Sequence, residues 1–172
     1  MIRRANISDA TYIQEVLEDA KRLFKSDGSD QWQDLDNYPN INTTLNDIKN
    51  EQMYIYEEDG KIIGCIVLAK TKEDAYDVIY NGSWLSNDIY YVIHRLAVRN
   101  GHYKKGIAQA LIKYTFEKAK EDNVHSIRVD TKRENARMLS LLKKMGFKET
   151  GIIHLLRKDV LDKKRVALEI VL

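Results

Sequence analysis

The sequence predicts an α/β (α+β) domain, with a mixed central β-sheet flanked by helices. Three observations predict it. Two β-rich runs flank Asp59-Gly60, a strong short-range hairpin signal; strand and helix patterns alternate between Ile89 and Gly146; and two more β-rich runs close the chain around a charged segment.

Taken in order, residues 2 to 6 read as a short strand. From Ser8 the apolar positions Ile13, Val16, Leu17, Ala20, Leu23 and Phe24 recur on one helical face, which predicts an amphipathic helix. Ser26-Asp27-Gly28-Ser29-Asp30, Gln31-Trp32-Gln33 and Tyr38-Pro39 are rich in turn formers. They are expected as a loop bearing one large aromatic, before a short helix at 43 to 50. Met53 to Glu58 and Lys61 to Leu68 are expected as antiparallel neighbours joined at Asp59-Gly60. Residues 71 to 88 show no period and are expected as a loop with one irregular turn.

The second half is more regular. Ile89 to Val98 is aromatic and β-branched, as a long and largely buried strand requires. Asn100-Gly101 breaks it, and residues 105 to 121 carry Ile107, Leu111, Ile112, Thr115, Phe116 and Ala119 on one helical stripe. Val124 to Asp130 is a strand. Glu134 to Met145 is a helix with Met138, Leu141, Leu142 and Met145 on one face and Gly146 at its stop. Lys148 to Leu156 and Arg165 to Val171 form a closing hairpin across the charged Lys158-Asp159 to Lys164 segment.

The 172 residues, 44% of them hydrophobic, suffice for one core and are too few for two ordinary domains, so 1–172 is expected as a single domain. Lys and Arg total 28 against 26 Asp and Glu, a formal charge of +2 that gives no reason to expect nucleic acid or a membrane as partner. Any anion site must be local. Cys65 is the only cysteine, which excludes an internal disulfide and a cysteine metal cluster. His102, His125 and His154 lack companions at ligand intervals, so no metal site is expected. The start Met1-Ile2-Arg3-Arg4 has no apolar signal core, and no apolar run approaches the roughly 18 residues of a membrane span, so a cytoplasmic location is expected.

Chemistry concentrates where the strand ending Leu96-Ala97-Val98 meets the turn Arg99 to Lys105 and the helix opened by Gly106-Ile107-Ala108. A strand feeding a tight turn and a helix presents unpaired amides at the positive end of the helix dipole. Small residues at Gly106 and Ala108 admit a phosphate, and Lys104 and Lys105 supply charge. The plain alternative is a solvated basic turn before a surface helix.

This segment resembles the coenzyme A loop of the GNAT acetyltransferases, Arg/Gln-x-x-Gly-x-Gly/Ala, here Tyr103-Lys104-Lys105-Gly106-Ile107-Ala108. A second family motif, Asn-x-x-Ala-x-x-Leu-Tyr-x-Lys-x-Gly-Phe, is similar to Asn135-Ala136-Arg137-Met138-Leu139-Ser140-Leu141-Leu142-Lys143-Lys144-Met145-Gly146-Phe147. The resemblance spans nearly the whole chain. It implies the GNAT acyl-CoA N-acyltransferase fold, acetyl-CoA as co-substrate, and an amine of a small molecule or peptide as acceptor. It implies further that the backbone of Leu96, Ala97 and Val98 pairs with the pantetheine arm as an added strand, that amides from Tyr103 through Ala108 hold the pyrophosphate, and that Asn135, with Lys144 in the same motif, contacts the cofactor. The alternative for Asn135 is a helix N-cap.

The chain departs from the family at two positions. Tyr103 replaces Arg/Gln, and Leu142 stands where many members carry a tyrosine that protonates the leaving thiolate. A thiol of pKa roughly 8.5 leaves tolerably without that help. Direct transfer also needs a base, because the lysine-like amine, pKa roughly 10.4, must lose a proton. The candidate is His94, two residues before Leu96, because histidine as a residue type suits proton transfer near neutral pH, and some arylalkylamine acetyltransferases of the family look similar there. A buried histidine fixing the strand is the alternative. By strand alternation Arg95 faces away from His94 and is expected to be structural or paired with an acid. Trp32 is either an aromatic lid on the acceptor or a core plug, and Tyr90 and Tyr91 are either acceptor contacts, replacement acids or packing.

Two other readings compete: a non-catalytic acetyl-CoA sensor, prompted by Leu142, and a nucleotide-binding α/β protein, which lacks the expected glycine spacing. The sequence is compatible with a monomer or a homodimer.

Overall fold

The computed structural model describes residues 1–158, 160 and 162–172; Asp159 and Leu161, in the charged segment between the last two strands, lie outside the described residues. Chain order is β1 (Ile2–Arg4), α1 (Ala10–Ser26), α2 (Ile41–Lys49), β2 (Met53–Glu58), β3 (Lys61–Ala69), β4 (Tyr90–Val98), α3 (Ile107–Glu121), β5 (Ser126–Thr131), α4 (Ala136–Lys144), β6 (Lys148–His154) and β7 (Lys164–Val171). The residues group into two compact units, Met1–Leu68 with His94–Thr115, and Ala69–Ile93 with Phe116–Leu172, whose boundaries fall inside β3, β4 and α3.

In the first unit the strand order is β1-β2-β3-β4. Asp59 and Gly60 both take positive φ, 49° and 71°, as a tight hairpin between β2 and β3 demands. Asn6 and Asp9 form a capping box at the one-turn helix Ile7–Asp9 that leads into α1, and Asn40 with Thr43 does the same for α2. The helical stripe of α1 packs as its spacing requires, with Ile13, Val16 and Leu17 fully buried. β3 is buried from Ile62 to Ala69, and Gly64 lets α3 lie close upon it. A β-carbon there would stand 2.9 Å from Ile107 Cγ2 and 3.1 Å from Leu111 Cδ1.

In the second unit the order is β4-β5-β7-β6, with β4 and β5 parallel and the remaining pairs antiparallel, so the seven strands make a mixed sheet. The ladder between β4 and β5 covers Tyr90↔Ser126 to Val92↔Arg128, while β4 runs on to Val98 and β5 to Thr131. The connection from residue 70 to 89 contains one irregular turn, Asp74–Tyr76, and is anchored by side chains. Arg128 lies between Trp84 and Tyr90, its guanidinium carbon 4.2 Å and 3.8 Å from the ring centres. Fully buried Glu169 accepts from Ser126 Oγ, Arg128 Nε and the Leu85 amide. Tyr80 forms an antiparallel bridge with Ile152, each amide donating to the other's carbonyl at 2.8 Å.

The face of α4 is rotated from the expected one. Leu139 and Leu142 are its buried residues, whereas Met138, Leu141 and Met145 are half-buried, and the helix starts at Ala136, two residues after the expected Glu134.

Candidate active site

β4 delivers its C-terminal residues into a turn that carries three positive-φ positions: Gly101 (81°), Lys104 (62°) and Gly106 (81°). The entrance of that turn is held firmly. The Arg99 amide donates to Ile63 O at 2.8 Å, its Nε to Ile62 O and its Nη2 to Glu15 Oε2, and the Asn100 amide donates to Asp19 Oδ2. The exit is left open. Among the described residues the amides of Lys104, Lys105 and Gly106 donate to no protein group. These three residues are exposed, and a β-carbon at Gly106 would meet nothing within 4 Å. The first intrahelical bond of α3 runs from Ala110 to Gly106 O, so the amides of Ile107 and Ala108 stand at the positive helix end. The donors, two lysines and free space fit a pyrophosphate.

Upstream, His94 and Leu96 are half-buried and flank Arg95, whose φ of 48° places it in the left-handed region in mid-strand. A non-glycine residue there costs about 1–2 kcal/mol and persists only where its surroundings over-determine it. They do so here. Arg95 Nε and Nη2 grip Asp47 Oδ2 and Oδ1 at 2.6 and 2.7 Å, and Nη1 donates to Tyr38 Oη at 2.6 Å. Burial alone would lower the guanidinium's pKa; the Tyr38 and Asp47 oxygens outweigh it and raise it.

The loop between α1 and α2, which bears Trp32, is held from other sides as well. Lys21, buried on α1, donates to Asn37 O and Oδ1, and Gln14 Nε2 donates to Pro39 O at 3.0 Å. Trp32 itself is half-buried with its ring edge-on to Phe24, centroids 5.2 Å apart.

In the second unit Asn135 caps α4: Oδ1 accepts from the Met138 amide at 3.2 Å, and Nδ2 donates to Thr131 Oγ1 at 3.1 Å. Lys144 is exposed in the last turn of that helix, and Leu142 is fully buried. Tyr91 is buried and donates its hydroxyl to Asp122 Oδ2 at 2.9 Å. Tyr76, buried, donates to Asp130 Oδ2 at 2.7 Å; burial and the neighbouring carboxylate push its hydroxyl pKa well up, so it stays a donor. Among the described residues no cluster of His, Cys, Asp and Glu is arranged to hold a metal ion. No helix among them is long and apolar enough to cross a membrane.

Residues 13–147 match the model of the acetyltransferase (GNAT) family. The chain belongs to the GNAT acetyltransferase family.

A GNAT-family acetyltransferase of Streptococcus agalactiae is 31% identical, with 100% of this chain and 95% of that one covered at a TM-score of 0.90. A GNAT-family acetyltransferase of Listeria monocytogenes (21% identity, 100% and 94% covered, TM-score 0.76) and the ribosomal-protein-alanine N-acetyltransferase of Brucella melitensis (15%, 100% and 99%, TM-score 0.67) share the fold. No curated protein matches the sequence. As a GNAT protein the chain is an acyltransferase, of a family that uses acetyl-CoA. Sequence reasoning missed Asp47, Tyr38, Tyr76 and Asp130. An aspartate within a helical run and tyrosines in turn-rich stretches give no periodic signal, and their partners lie far along the chain.

Proposed function

We propose that this GNAT protein transfers an acetyl group from acetyl-CoA to an amine of a small molecule or peptide by direct attack. The observation that carries the proposal is the turn at Lys104, Lys105 and Gly106, whose amides have no acceptor among the described residues, with free space beside Gly106 at the start of α3. When bound there, acetyl-CoA supplies an activated thioester. Amides from Tyr103 through Ala108 hold its diphosphate, Lys104 and Lys105 neutralise it, and the backbone of Leu96, Ala97 and Val98 aligns the pantetheine arm.

His94 accepts the proton that an ammonium must lose before its nitrogen can attack, and the backbone amide beside Leu96 stabilises the negative charge that gathers on the carbonyl oxygen. Asn135 keeps the start of α4 ordered through its cap and adds a contact to the cofactor's amide arm, with Lys144 on the same helix; Trp32 lines the acceptor side. One observation favours a second reading, an acetyl-CoA sensor without turnover: Leu142 is fully buried where relatives place a phenol.

Calorimetry with acetyl-CoA, followed by thiol release with spermidine, tyramine, kanamycin and a lysine-bearing peptide, tests both. Binding with release supports transfer, binding without release on any amine supports the sensor, and absence of any heat from well-folded protein defeats both.

A further inference from the structure

Arg95 is the one residue of β4 in the left-handed region, and its guanidinium spends all its nitrogens on two other segments. Nε and Nη2 clasp Asp47 on α2 as a fork, and Nη1 donates to the hydroxyl of Tyr38 in the loop between α1 and α2. The side chains are well withdrawn from water, Arg95 at 12% and Asp47 at 5% exposure. At Arg95 the backbone is pinned too, its carbonyl facing the Cys65 thiol at 3.7 Å. On either side in sequence stand His94 and Leu96, the proposed proton acceptor and the proposed backbone donor. The loop that Tyr38 belongs to carries Trp32 and is tied to α1 by Lys21 and Gln14.

Resting on the function proposed above, we infer that Arg95, Asp47 and Tyr38 are positioning residues for the acceptor amine: they lock the α1–α2 loop to the mid-strand bend of β4, so that the wall of the acceptor site and the reacting groups keep one fixed register. A planar fork suits this task because each of its donors is directed, and a point-charge lysine cannot replace it. Fixing the loop before binding removes the ordering cost that the amine would otherwise meet, so the lock acts on the amine and leaves the diphosphate turn alone.

The test uses the full chain with Tyr38→Phe, which removes one hydroxyl and keeps the ring, and Asp47→Asn, which keeps the shape and one acceptor oxygen. Steady-state kinetics on the amine panel and deuterium exchange of the amides from 29 to 40 are read together. The expected result is a KM for the amine raised about 5- to 50-fold, a KM for acetyl-CoA within about 2-fold, and exchange in the loop about 10-fold faster. Asp47→Glu, which restores the charge on a longer arm, should recover only part of what Asp47→Asn loses, since the longer carboxylate breaks the fork geometry.

Equal losses for both substrates, or unchanged kinetics and exchange in folded Tyr38→Phe protein, overturn the inference. Should the parent protein bind no acetyl-CoA, the functional reading itself fails, and faster loop exchange in the variants then marks the lock as structural only, which also overturns the positioning role.

Discussion

Gly82 lies so close to Thr150 that a β-carbon at position 82 would stand 1.9 Å from the Thr150 carbonyl oxygen. The contact is backbone against position 82, so no side chain can swing aside to relieve it. Gly82→Ala must therefore push the 80–82 segment off β6 and break the Tyr80 bridge to Ile152. The expected loss is more than about 2 kcal/mol, read as a lower urea midpoint, and a variant as stable as the parent would refute the packing described.

Cys65 is fully buried, and burial pushes its thiol up to about 12. The protein should show no reaction with Ellman's reagent at pH 8 until denaturant is added, and then one equivalent of thiol. Rapid labelling of the native protein would contradict this burial.

Arg3 grips Asp9 through Nη1 and Nη2 at 2.8 and 3.0 Å, and the Asn6 amide donates to the same carboxylate. The Arg3 bonds, against the opposing effect of burial, hold Asp9 below the ordinary carboxylate range. A depressed folded-state pKa gives stability that is present above the unfolded value of about 3.9 and lost as pH falls through the folded value. Asp9→Asn should consequently be less stable at pH 7, and the gap from the parent should close as urea midpoints are taken from about pH 4 downward. A gap that widens toward acid would reverse the assignment.

On the proposed mechanism His94→Gln should lower kcat by about 10²- to 10⁴-fold, with acetyl-CoA affinity unchanged in calorimetry. Retention of the parent rate would leave His94 a structural residue.

How far the sequence could be read follows from where its signals come from. The hairpin at Asp59-Gly60, the stripes of α1 and α3 and the strand before Asn100-Gly101 were legible because each depends on neighbours in the chain. α4 was read two residues too long at its start, since Asn135 caps the helix one residue before Ala136 and Glu134 stays outside. The 70–89 connection lacks period because Trp84, Leu85 and Tyr80 are held by Arg128, Glu169 and Ile152, which are distant in sequence. The candidate site divides the same way. The diphosphate turn was visible as a local motif, whereas Arg95 in a left-handed conformation was not, because only its partners Asp47 and Tyr38 make that conformation tolerable.

The two terminal strands of the ladder orders, β1 and β6, differ in how they are protected. β1 is three residues long and bears Arg3 and Arg4, while β6 has its outer backbone met by Tyr80 at Ile152. Brevity and charge guard one, and a borrowed stretch of chain blunts the other. Each rim is thereby a poor template for a strand from another molecule, and the fold carries its own defence against growing into fibres.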